Sequence, residues 1–120
     1  MEITGDMIEA CYLYAKKVYH NQIDKTTATN QLYSQMGMHQ GSARDYIGAF
    51  CSMMNGERYT RTINTSATKY YLQNIGEDYG SSQLEIALRA VSLHTEYYGK
   101  LGNGRLKSIE KLVEGYKYTS

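Results

Sequence analysis

Apolar residues recur every three or four positions along most of the chain. Ile3, Met7, Cys11, Tyr14 and Val18 form one such stripe, widened by Ile8, Tyr12 and Ala15, and this spacing matches the turn of an α-helix. Proline is absent, so no ring interrupts a helical hydrogen-bond ladder, and strand-like alternation is scarce. With 120 residues, 42% of them hydrophobic and 21% charged, the chain has the size and composition of one folded domain. The expectation is all-α: a single compact bundle of about six helices spanning residues 1–120.

Capping residues divide the pattern. Thr4 caps a first helix to Tyr19, with Asp6 and Glu9 in its first turn and Lys16 and Lys17 in its last, where each charge sign suits the helix dipole. A second helix runs from Thr27 to Met36 and stops at Gly37, and a third from Ser42 to Met54 stops at Asn55-Gly56. Asn64, Thr65 or Ser66 caps a fourth through Tyr79, after an extended piece at Tyr59–Ile63. Beyond Gly80, Ser82-Gln83-Leu84-Glu85 fits a capping box, and Leu84, Leu88, Val91, Thr95 and Tyr98 mark the stripe of a fifth helix. Leu106, Ile109, Leu112, Val113 and Tyr116 define a sixth after the Gly99–Gly104 connection.

A formal charge of +1 carries no global nucleic-acid signature, so DNA binding would depend on local patches. The first patch is "ERYTRTIN", residues 57–64. Arg58 and Arg61 supply forked cationic donors beside the start of a helix, Thr60, Thr62 and Asn64 supply polar groups, and Tyr59 supplies an aromatic face for sugar or base. The plainer reading pairs Arg58 with Glu57 or a nearby acid and leaves the threonines as residues that favour extended backbone. The second patch is Lys100, Arg105 and Lys107 around Gly102-Asn103-Gly104, a glycine-flanked basic turn suited to a phosphate backbone and equally to solvent.

The second and third helices also invite comparison with a helix-turn-helix. Leu32, Met36 and Met38 fall at apolar positions of that motif, but Tyr33 falls where a small residue is usual. The pair is either such a motif, with Gln40, Ser42 and Arg44 at a groove, or an ordinary αα-hairpin. His20, His39 and His94 lie far apart, and no phosphate loop, metalloprotease motif or serine elbow is present. No catalytic residues, metal or cofactor are therefore expected, and His94 reads as a half-buried edge residue. Cys11 and Cys51 sit within apolar patterns as small buried thiols. No run is long enough to span a membrane, which makes the cytoplasm the default location.

The segments "MGMHQGSARDYIGAFCSMMNGERYTRTIN", "ATKYYLQNIGEDYG", "LHTEYY" and "GRLKSIEKLVEGY" resemble the region that precedes HNH nuclease domains in bacterial restriction endonucleases, including McrA-like enzymes for modified cytosine. "SARDYI", "YTRTIN" and "EYY" are its most distinctive elements, and the resemblance extends from about Val18 to Tyr116. It implies a specificity module that binds double-stranded DNA, methylated or hydroxymethylated, with cutting left to a fused C-terminal nuclease domain. The end of the chain directly after a helix suits an N-terminal piece of such an enzyme, and the reading allows a homodimer. If a modified base is flipped out, a tyrosine-lined slot is the expected receptor. The competing expectation is a helical adaptor that docks a protein partner through an exposed tyrosine and methionine surface such as Met36, Met38, Met53 and Met54.

Overall fold

A computed structural model describes residues 2–119, which form six helices and no strand. They are α1 (Gly5–Tyr19), α2 (Lys25–Met36), α3 (Gln40–Asn55), α4 (Thr65–Tyr79), α5 (Ser81–Lys100) and α6 (Lys107–Thr119). The fold is all-helical, as the periodicity requires. Its contacts cluster into two compact units, residues 1–51 and 52–120, with the boundary inside α3.

Side-chain caps set several helix starts. The Thr4 hydroxyl accepts from the Met7 amide at 3.2 Å, and Asp24 Oδ1 accepts from Thr27 at 2.7 Å. Asp24 therefore starts α2 two residues earlier than the apolar pattern suggests, and bonding to the Thr27 and Thr26 amides holds its carboxyl below the usual carboxylate range. Asn64 caps α4, with Oδ1 accepting from Ala67 at 2.7 Å. The expected capping box on α5 does not form. That helix begins at Ser81 directly after Gly80, with no side-chain cap bond, and Ser82 and Glu85 are exposed. One intervening residue leaves no room for a serine cap ahead of the helix.

In the first unit, α1 packs on α2 through Ile8, Cys11, Tyr12 and Ala15 on one side and Ala28, Thr29 and Leu32 on the other. Met38, Ala43, Tyr46, Ile47 and Phe50 complete this core. Tyr12 and Tyr19 approach the Phe50 ring edge-on, with centroids at 5.3 and 6.3 Å. The Cys11 thiol donates to the Met38 sulfur at 3.3 Å, and burial pushes its pKa up to about 12, so it remains a thiol. Tyr33 is 56% exposed; its bulk points away from this core.

In the second unit, α4 packs on α5, and α6 lies against both. The deepest face of α5 is Ala87, Ala90, Val91, His94 and Thr95, whereas Leu84, Leu88 and Tyr98 are half-buried. Small alanines let neighbouring backbones approach closely, so the buried stripe is turned away from the leucines. Gln83 Nε2 donates to the Met54 carbonyl at 2.7 Å, which ties the end of α3 to α5. No helix among the described residues is long and apolar enough to cross a membrane.

Gly56 and Gly37 end α3 and α2 with φ of +66° and +69°. A Cβ on Gly56 would lie 3.0 Å from Ile86 Cγ2, whereas one on Gly37 meets nothing within 4 Å. Both alanine variants incur left-handed strain of roughly 1 kcal/mol, and only Gly56→Ala adds a clash with a stiff β-branched side chain. Urea denaturation should show Gly56→Ala losing about 2–3 kcal/mol and Gly37→Ala about 1; equal losses would contradict this packing.

Candidate nucleic-acid interface

Residues 56–64 connect α3 to α4 without regular structure, yet two apolar anchors hold them down. Tyr59 is 7% exposed and Ile63 is 1% exposed. Between and beside these anchors, Arg58, Thr60, Arg61, Thr62 and Asn64 are exposed. The polar side chains therefore project from a segment pinned at both ends.

The pin is His94. This residue of α5 is fully buried, not the half-exposed edge residue that its neighbours Tyr97 and Tyr98 suggest. Its Nδ1 lies 2.7 Å from the Tyr59 carbonyl oxygen, and its Nε2 lies 3.0 Å from Thr62 Oγ1. Its ring also stacks on the Tyr59 ring, with centroids 4.3 Å apart and planes 17° apart. Both ring nitrogens are thus satisfied by the connector. A buried imidazole without such partners would incur a desolvation cost of roughly 1–3 kcal/mol per polar group.

This geometry revises the role of Tyr59. Its ring is committed inward against His94 and is not presented to sugar or base. Its hydroxyl is buried with no hydrogen-bond partner, and burial raises its pKa. Asn64 is similarly engaged: Oδ1 caps α4, and its carbonyl accepts from the Thr68 amide and hydroxyl at 3.0 Å. The Thr62 hydroxyl is shared with His94. Arg58, Thr60 and Arg61 remain as exposed groups outside these bonds, and Thr62 is exposed with its hydroxyl on His94. The Arg58 guanidinium carbon sits 4.6 Å from the Tyr97 ring centroid, in place of the simple pairing with Glu57. A cation–π contact of this kind positions the guanidinium without an ion-pair partner. Arg61 is exposed and makes no ion pair among the described residues.

The other candidates divide. Lys100 ends α5 and Lys107 begins α6, both exposed. Arg105 is exposed, but Nη2 and Nε reach the two carboxylate oxygens of Glu110, the latter at 3.3 Å. That bond holds the Glu110 carboxyl below the usual range. Arg105 therefore carries its own counter-charge and is not the free backbone contact expected of it. In the first unit, Gln40, Ser42 and Arg44 occupy the first turns of α3. Arg44 is exposed, Ser42 is half-buried, and the Gln40 amide donates to Asn30 Oδ1 of α2 at 2.9 Å.

Of the methionines expected on an adaptor surface, Met38, Met53 and Met54 belong to the core and Met36 is half-buried. A groove of about 490 Å³ between α5 and α6 is lined by Leu84, Leu88, Val113 and Tyr116, with Arg89 and Lys117 at its edges. The connector does not line it. No group of three or more potential metal ligands occurs among the described residues. Cys51 is half-buried, its pKa raised by burial against an opposing effect of Lys25.

Burial lowers the His94 pKa below its ordinary 6.5, opposed by the hydrogen bond to the Tyr59 carbonyl. Tyr59 and Thr62 from the connector and Tyr98 from α5 face the ring, and no carboxylate is among them. Below pH about 6.5 the unfolded chain takes up a proton that the folded chain resists, so stability falls as pH drops through that value. Denaturation between pH 7.5 and 5.5 should show this loss, with His94→Gln about 2–3 kcal/mol less stable at pH 7.5 and a flatter profile. Identical slopes for the two proteins would remove His94 as the cause. Compared with known proteins, the chain matches no family model, no curated protein and no solved structure.

Proposed function

We propose that this chain is a DNA-binding specificity module, with the α3–α4 connector as its principal contact surface. The observation that carries this reading is the exposure of Arg58, Thr60 and Arg61 on a segment anchored by Tyr59, Ile63 and His94. Groups held in place before binding lose less side-chain entropy on contact, so a small patch can act despite the near-neutral chain. Arg58 and Arg61 contact phosphate or a guanine edge, Thr60 supports them, and Lys100 and Lys107 hold backbone nearby in sequence on α5 and α6. Arg44, with Ser42 and Gln40, forms a second contact region at the start of α3, the position of a recognition helix in a helix-turn-helix.

The resemblance of "SARDYI" and "YTRTIN" to the region ahead of HNH domains supports a finer assignment. In that assignment the module reads cytosine-modified DNA in the cytoplasm for a fused nuclease, and cleavage belongs to that second domain.

A gel-shift panel with unmodified, 5-methylcytosine, 5-hydroxymethylcytosine and phosphorothioate duplexes tests activity and preference together. Arg61→Ala should weaken the preferred duplex roughly tenfold and reduce the salt slope by about 1. Arg105→Ala should change binding less because Glu110 already offsets its charge, and Tyr59→Phe should leave binding unchanged. Equal binding of Arg61→Ala and the parent protein to every duplex would retire the connector as the contact surface.

A further inference from the structure

The hydrogen-bond arithmetic around His94 assigns a direction to Thr62. The Tyr59 carbonyl can only accept, so the 2.7 Å contact requires the proton on Nδ1. The ring is fully buried, with Tyr59, Thr62 and Tyr98 as its polar or aromatic neighbours. Burial disfavours the charged ring, and the shift of its pKa is downward. A neutral ring protonated on Nδ1 leaves Nε2 as a bare lone pair. The 3.0 Å contact to Thr62 Oγ1 is then a bond in which the threonine donates and the imidazole accepts.

A threonine hydroxyl has one proton and two lone pairs. With its proton directed to Nε2, Thr62 has only acceptor capacity left; the residue is exposed, and its bond to His94 is part-buried. A phosphate oxygen offers no proton at neutral pH, so it is a poor partner for that oxygen. An N–H group is a matching one. On duplex DNA the exposed N–H donors in the grooves are exocyclic amino groups of cytosine, adenine and guanine.

We propose that His94 turns Thr62 into an acceptor that reads an exocyclic amino group at a base edge, while the neighbouring arginines take phosphate or guanine acceptors. This inference rests on the DNA-binding reading of the connector. It divides the segment by polarity: Arg58 and Arg61 only donate, and Thr62 only accepts. His94 is a positioning residue in this scheme, because it acts on the ligand through Thr62 and not by contact.

Two measurements test it. Long-range ¹H–¹⁵N correlation of the His94 ring at pH 7.5 should show the neutral form protonated at Nδ1. A ring protonated at Nε2, or doubly protonated, overturns the assignment because Thr62 would then be free to donate. In duplex titrations, Thr62→Val should lose roughly fivefold in affinity for the preferred duplex, the worth of one hydrogen bond. It should keep the parent salt slope and discriminate less between base pairs, whereas Thr62→Ser stays within about twofold. An affinity loss in Thr62→Val that is the same for every base-pair sequence would mark a phosphate contact and overturn the proposal. Unchanged affinity of Thr62→Val, with the parent binding normally, sinks the amino-group assignment alone. A parent protein that binds no duplex sinks the DNA reading and the base-edge partner together, distinguishable from the first outcome by the parent's own titration.

Discussion

A buried imidazole that bonds through both nitrogens holds the α3–α4 connector in one shape. Burying a polar ring is unfavourable unless its donor and acceptor are matched. The match here requires two points on the connector, the Tyr59 carbonyl and the Thr62 hydroxyl, to lie at hydrogen-bond distance from one ring on α5. Tyr59 adds a stacked face and Ile63 an apolar plug. Movement of the segment would break these contacts together, so its shape is set cooperatively.

This clasp separates the connector from the other basic surfaces. The α5–α6 connection contains exposed glycines and an arginine whose charge is offset by Glu110. Such a surface pair contributes little to stability, and it also reduces the field available to an anion. Arg58 lies instead on the face of Tyr97, and Arg61 makes no ion pair among the described residues. In a chain of charge +1, the placement of individual guanidinium groups matters more than the total.

The helices were largely legible from sequence because their signals are local. Thr4 and Asn64 cap as their chemistry suggests, and Gly37 and Asn55-Gly56 stop helices where expected. The α5 start misled because a serine–glutamate spacing says nothing about whether one preceding residue leaves space for a cap. The buried face of α5 was also displaced, since periodicity weighs Leu84 and Leu88 above Ala87 and Ala90, while close helix approach favours the alanines. Tyr59 shows the same limit at the candidate site. In sequence it is one more aromatic among arginines, and only its partner thirty-five positions later on α5 reveals that it faces inward. His94 carried no motif at all. The one available signal was a lone histidine on the apolar side of a helix, which is more often structural than functional.

The central claim is that the connector is as rigid as the helices it joins, and backbone ¹⁵N relaxation measures this directly. Because the chain lacks proline, every amide from 57 to 64 can be followed. Order parameters of about 0.85 from Arg58 to Ile63, equal to those in α3 and α4, are the predicted result. Values below about 0.6 at Tyr59 and Thr62 would show a loose loop and contradict the account.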